Sequence, residues 1–416
     1  MSTIRVSHPT GVTKGVISLD GSKSISNRVL IIQALCHQPF NIHHLSTSDD
    51  STTLKSLLER NAASGTYDVG HAGTTFRFLT AYLALQKGSQ TLTGSSRMLE
   101  RPIGPLVEAL KSLGCSIEYL GEEGYPPLRI NEINTTDLGN QVEINAGVSS
   151  QYLTALLLIA PTLPNGLTLD LKGDMVSESY LKLTLGILSD FGIKSTYADQ
   201  RIKVETQHYQ PKDYTIEADW SAASYYYAIA AISKDSNIRL EGLSKDSLQG
   251  DADITRYSKS FGVASRWVEG QWLLTRQDHT SELKEDFINM PDIAQTIATI
   301  CAARDIDNEL TGLKTLRIKE TDRIYAMHTE LSKINSSFTL LRGEGEDEVY
   351  QISPGIHFND GIPRFDTYKD HRMAMCLAPL ALRHPVEINQ PKVVSKSYPQ
   401  YWEDLRSLGF QMHDVD

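Results

Sequence analysis

Apolar residues along this chain follow one local pattern that returns six times: a short β-like run, a turn of Gly, Asp, Ser or Thr, and an apolar helix. The copies are ISLDGSKSISNRVLIIQAL, YDVGHAGTTFRFLTAYLAL, VEINAGVSSQYLTALLLIA, YTIEADWSAASYYYAIAAI, FINMPDIAQTIATICAA and FDTYKDHRMAMCLAPLAL. They begin roughly seventy residues apart after one shorter gap of roughly fifty, the mark of a repeat architecture. A helix such as LTALLLIA is apolar nearly all round, so these helices are expected inside, with amphipathic segments covering them. Six copies divide into two α/β domains of three, with a boundary near Tyr214 to Ser221, although no Pro/Gly/Ser-rich linker marks it.

Composition narrows the reading. With 416 residues and 40% hydrophobic content, the chain can bury more than one core. A net charge of −11 and a pI near 5.6 argue against a nucleic-acid or anionic-membrane surface, so any cationic site is local. The segment MSTIRVSHPT has no apolar core, and the longest apolar stretch, around Leu153 to Ala160, is too short to span a membrane; a soluble, cytoplasmic protein is expected. Cys36, Cys115, Cys301 and Cys376 are far apart with no CxxC pair and read as core thiols.

Each turn sits where a helix begins, and a helix N-terminus suits an anion. Several of these turns nevertheless carry cations: Lys23 and Arg28 in one, His371 and Arg372 in another. Each is unfavourable there by about 0.3–1 kcal/mol unless an anion neutralises it. Asp370 pairing with Arg372 on the surface would explain one copy, but a bound anion explains several. GSKS lacks the Gly-to-Lys spacing of a nucleotide P-loop and remains a Ser/Lys phosphate cradle. In GHAGTTFR, Gly73 permits close approach of a ligand to the backbone, while Thr74 and Thr75 are candidate helix caps. RIKETDR puts Lys319 and Arg323 one helical turn apart, a like-charge pair that an anion would relieve, with Glu320 among them as a candidate general acid. Asp292, following Pro291, reads by itself as a helix cap or first-turn acid. Adjacent His43 and His44 have no third ligand at metal spacing, and neither HExxH, GxGxxG nor GxSxG occurs. The chemistry expected is between two phosphate-bearing anions, without a metal or an organic cofactor.

GSKSISNR, HAGTTFR, ERPIGPL, GVSSQYLTALL, MPDIAQTIA, LRIKETDR, YKDHRMAM and VVSKSYPQYW, in this order, closely resemble the 5-enolpyruvylshikimate-3-phosphate synthase family. The resemblance runs from Gly11 to Trp402. It implies two globular domains, each of three repeated βαβαββ units: residues 20–219, mainly binding shikimate 3-phosphate, and residues 1–19 with 220–416, the active site lying in the cleft between them. The family moves the enolpyruvyl group of phosphoenolpyruvate to the 5-hydroxyl of shikimate 3-phosphate and releases phosphate, without a cofactor and, by family expectation, as a monomer. By the resemblance, Lys23, Ser24, Arg28, Ser149, Ser150, Gln151, Ser177, Tyr180, Asp292 and Lys319 hold shikimate 3-phosphate. Lys23, Gly73, Arg101, Gln151, Arg323, Arg372 and Lys396 hold phosphoenolpyruvate, whose site the inhibitor glyphosate also occupies. Asp292 matches the base, Glu320 the proton donor, and Lys23 a further catalytic position.

Three positions depart from the family's commonest pattern: His71 stands where Asn is frequent, Thr315 where an Asn often touches shikimate 3-phosphate, and Phe78 where Pro often follows the Arg. Phe78 leaves glyphosate sensitivity open. The UDP-N-acetylglucosamine enolpyruvyl transferases share the fold but place a Cys shortly before their Arg-Pro, and the corresponding SSRMLERP has none. A non-catalytic anion-binding relative would be expected to have lost Asp292 or Glu320.

Overall fold

The computed structural model describes residues 2–60, 64–147, 149–279, 282–345, 348–358 and 361–415. Two compact units emerge: Gly21–Ile216, and Met1–Asp20 with Glu217–Asp416. The fold class is mixed α/β.

One sheet pattern recurs. In the Gly21–Ile216 unit, Gly65–Asp68 pairs parallel with Ser89–Thr93, and the hairpin of Ser116–Tyr119 and Leu128–Asn131 adds antiparallel through its second strand. Gln141–Asn145, Leu167–Lys172, Ser195–Ala198 and Arg201–Val204 repeat that order. In the other unit Glu282–Asp286, Asp307–Thr311, Phe338–Arg342 and Val349–Ile352 do the same.

The remaining sheets show where the chain passes between units. Val12–Ser18 pairs parallel with Asp235–Glu241, so the strand that leads into the Lys23–Leu35 helix belongs to the opposite unit from that helix. Conversely Tyr214–Thr215, which leads into the Trp220–Ile232 helix, pairs with Ile42–His43 in a two-stranded remnant. The two junction copies have exchanged their leading strands, a feature that repeat spacing alone cannot reveal. The last sheet is closed by both ends of the chain: Thr3–Ser7 lies between Val386–Asn389 and Gln411–Val415.

Behind each set of sheets three apolar helices pack together: Lys23–Leu35, Gly73–Leu83 and Ser150–Ile159 in one unit, Trp220–Ile232, Ala294–Arg304 and His371–Leu377 in the other. In Trp220–Ile232 all but Ser221 are buried. Buried Tyr hydroxyls require partners. Tyr226 meets Tyr398 at 2.6 Å, Tyr227 meets Ser265 at 2.7 Å, and Tyr225 meets an Arg372 nitrogen at 3.4 Å, tying the core to the chemistry below. Of the cysteines, Cys115, Cys301 and Cys376 are buried free thiols, and burial pushes Cys115 to about 11 and Cys376 to about 12. Cys36, also free, lies just past its helix. Leu156 has no exposed surface, so Leu156→Ala is expected to lower the unfolding free energy by about 2–5 kcal/mol in urea titration.

Candidate active site

In the unit that contains both chain ends, the candidate residues converge on one guanidinium. Arg323 begins the Arg323–Ser332 helix, capped by Asp322, and is 1% exposed. Its Nε lies 2.8 Å from Asp370 Oδ2, Nη1 3.1 Å from Asp292 Oδ1 and Nη2 2.9 Å from Glu320 Oε2. Burial alone would push this group down, but the three carboxylates outweigh it and hold Arg323 above the usual arginine range. Arg372 Nη2 meets the other Asp292 oxygen at 2.8 Å, and its Nη1 meets the Asp292 carbonyl at 3.0 Å. Lys396 Nζ is 3.1 Å from Glu320 Oε1 and Lys319 Nζ 3.8 Å from Asp292 Oδ1. Burial, only partly offset by Asp292, lowers the Lys319 ammonium. Asp292 and Glu320 are thus bridged by Arg323 and flanked by three more cations.

Local structure revises several expectations here. Lys319 and Arg323 do not share a helix: Lys319 ends a short 3-10 segment, Lys314–Ile318, before Asp322 starts a new helix. Asp370 is no surface partner of Arg372. It is fully buried, caps its helix by accepting from the Arg372 backbone N–H at 2.9 Å, and gives its charge to Arg323. Asp292 lies in the 3-10 turn Pro291–Ile293, and its side chain serves cations rather than capping a helix.

In the Gly21–Ile216 unit, hydrogen bonds connect the helix starts. Lys23, first in its helix, has Nζ 3.4 Å from Asp50 Oδ2. Thr75 Oγ1 donates to the Asp50 carbonyl at 2.9 Å, and Gln151 Nε2 to Thr74 Oγ1 at 3.4 Å. Neither Thr caps, since Ala72 holds that position without a side-chain bond. Ser149 does cap: its Oγ accepts from the Gln151 N–H at 3.3 Å, and Ser150 opens the helix. Arg28 reaches the Ser24 carbonyl at 2.7 Å and the Tyr180 carbonyl at 3.4 Å. Ser177 precedes the Glu178–Asp190 helix at φ 57° and ψ 43°, a left-handed conformation that costs a non-glycine residue about 1–3 kcal/mol and tends to mark functional turns.

Gly73 is crowded by a named side chain. A Cβ built there would lie 2.3 Å from Arg101 Nη1, so the absent side chain is what lets that guanidinium rest on the turn. His71 pairs with Ser95 Oγ at 2.8 Å. Thr315 Oγ1 is buried with no hydrogen-bond partner among the described residues. Phe78 is buried with its ring 5.8 Å from the Arg28 guanidinium carbon.

Four cations around a bridged carboxylate pair in one unit, and Lys23 and Arg28 at a helix start in the other, suit the binding of phosphorylated anions. Residues 59–405 match the family described as EPSP synthase (3-phosphoshikimate 1-carboxyvinyltransferase). The chain belongs to the EPSP synthase family. A 3-phosphoshikimate 1-carboxyvinyltransferase of Bacteroides fragilis (strain YCH46) is 45% identical over 406 residues, spanning 95% of this chain and 96% of the relative. Its counterpart in Aliivibrio fischeri (strain ATCC 700601 / ES114) is 37% identical, spanning 96% and 98%. An EPSP synthase structure from Acinetobacter baumannii matches all of both chains at a TM-score of 0.78 and 18% identity, which supports the fold.

Beyond what the EPSP synthase motifs suggest, the structure adds Asp50 beside Lys23 and Asp251 behind Arg372. Asp251 accepts from Ser221 Oγ, which Arg372 Nη2 approaches at 3.4 Å. Burial, reinforced by the Asp292 charge, raises Asp251 to about 7. In sequence both read as ordinary helix-start acids, TSDDST and QGDAD, and only tertiary contact gives them partners. No group of three or more His, Cys, Asp or Glu placed to hold a metal occurs among the described residues. Nor is any described helix long and apolar enough to cross a membrane.

Proposed function

We propose that this enzyme transfers the enolpyruvyl group of phosphoenolpyruvate to the 5-hydroxyl of shikimate 3-phosphate, with Asp292 as base for the hydroxyl and Glu320 as the group that protonates the methylene carbon. The carrying observation is that one guanidinium, Arg323, holds both carboxylates at 3.1 and 2.9 Å, within a group of further cations. Lys23, Ser24, Arg28, Ser149, Ser150, Gln151, Ser177, Tyr180 and Lys319 are assigned to shikimate 3-phosphate. Gly73, Arg101, Arg323, Arg372 and Lys396, with Lys23 and Gln151, are assigned to phosphoenolpyruvate.

Physical chemistry orders the steps. Without substrate, Glu320 is paired with Lys396 and Arg323. The phosphate and carboxylate of phosphoenolpyruvate compete for those cations, and Glu320, released from them, delivers its proton as the acid. Protonation of C3 leaves C2 cationic. The 5-hydroxyl, losing its proton to Asp292, adds to C2 and gives a tetrahedral ketal. Glu320 then recovers a proton from the new methyl, the double bond re-forms, and the C2–O bond to phosphate breaks. Arg372, Lys396 and Lys23 hold the departing charge.

The test is phosphate release from the two substrates, with UDP-N-acetylglucosamine as the competing acceptor. Release with shikimate 3-phosphate alone as acceptor is expected; release only with the nucleotide sugar, or with neither, would overturn the reading. The enzyme is taken as a cytoplasmic monomer, so light scattering should return one chain mass, 46.3 kDa; a doubled mass would reject the monomer.

A further inference from the structure

Arg28 differs from Lys23, Arg323, Arg372 and Lys396 in how its charge is met. Lys23, Arg323, Arg372 and Lys396 each contact a carboxylate, whereas Arg28, 3% exposed, meets neutral oxygens and no carboxylate among the described residues. Its Nε lies 2.9 Å from Thr184 Oγ1, and Nη2 3.1 Å from Thr154 Oγ1 and 3.4 Å from the Tyr180 carbonyl, while Nη1 reaches the Ser24 carbonyl at 2.7 Å. Burial, only partly offset by Tyr180, pushes the guanidinium down to about 10, and it remains charged at neutral pH.

The proton positions in this network are fixed by elimination. Arginine only donates, so both threonine oxygens accept from it. The Thr184 hydroxyl gives its hydrogen to the Tyr180 carbonyl at 2.7 Å. The 3.0 Å contact between the threonines is therefore donated by Thr154. A carboxylate at either threonine position would satisfy the same donors but cancel the charge. Among the described residues four of the five N–H hydrogens of the guanidinium are engaged, which leaves one on Nη1.

We propose that Thr154 and Thr184 are positioning residues that hold Arg28 through uncharged oxygens, leaving its positive charge and one Nη1 hydrogen for an anionic substrate. The inference rests on the reading that shikimate 3-phosphate occupies this half-site. Neither threonine touches the reacting atoms.

Thr184→Val keeps the volume and removes the oxygen. The KM for shikimate 3-phosphate should rise relative to that for phosphoenolpyruvate by about tenfold, the scale of a hydrogen bond to a charged group. Thr184→Ser, which keeps the oxygen, should return the ratio to within about threefold of wild type, an outcome that loss of packing would not give. Thr154→Val supplies the same comparison if Thr184→Val does not fold. An unchanged KM ratio in the Val variants, or a Ser variant as impaired as Val, would overturn the proposal. Wild-type phosphate release tests the proposed function separately. Should that fail, titration of wild type and Thr184→Val with inorganic phosphate still decides the cradle: weaker binding by the variant supports it and equal binding rejects it.

Discussion

Glu320→Gln is expected to lower kcat by about 10²- to 10⁴-fold, the usual worth of a positioned acid or base, while shikimate 3-phosphate still binds. The amide keeps the shape and its one oxygen can still accept from Arg323 or Lys396, but it cannot carry a proton to C3 and take one back. Because Glu320 acts in both addition and elimination, neither the ketal nor the product should accumulate. Asp292→Asn should also depress kcat strongly, with a different signature. Asp292 neutralises Arg323, Arg372 and Lys319 in the free protein. Removing its charge leaves those cations more available to an anion, so the KM for phosphoenolpyruvate should stay level or fall while turnover collapses. Single-turnover quench with both substrates checks each variant, and near-normal turnover in either would remove that residue from the mechanism.

What could be read in advance follows from what is local. The six helices were legible because an apolar run with no polar face declares its own burial, as LTALLLIA does. The exchange of leading strands between Val12–Ser18 and Tyr214–Thr215 was not, because pairing between strands so far apart in the chain, Val12 with Asp235 and Tyr214 with Ile42, leaves no trace in spacing. At the site, the cations were visible through their discord with a helix start, but their partners were not. Asp370 looked like a neighbour of Arg372 and proved to be the buried counter-ion of Arg323. The i,i+4 spacing of Lys319 and Arg323 assumed a helix that begins only at Arg323. Nothing in the sequence singles out Thr154 or Thr184, since a threonine inside an apolar run such as YLTALL or KLTLG gives no sign that it meets a guanidinium.

Gly73→Ala is expected to weaken glyphosate more than phosphoenolpyruvate, and the geometry says through which atom. The new methyl cannot coexist with Arg101 Nη1 at 2.3 Å, so the guanidinium must swing away. Because the clashing group is the far end of a flexible side chain, the fold should survive. Both ligands are anions assigned to Arg101, and both lose affinity when it moves. Glyphosate is the longer of the two and leaves less room for the methyl and the displaced guanidinium together, so its penalty should be larger by about 1–3 kcal/mol, or roughly ten- to hundredfold in the ratio of glyphosate Ki to phosphoenolpyruvate KM. A double-mutant cycle with Arg101→Ala separates the two components. If the methyl acts on phosphoenolpyruvate only by displacing Arg101, Gly73→Ala should scarcely alter its KM once Arg101 is gone, while the direct steric penalty on glyphosate persists. Equal effects of Gly73→Ala in both backgrounds would show that Arg101 does not mediate them, and a Ki to KM ratio that stays level or falls would take Gly73 out of the site.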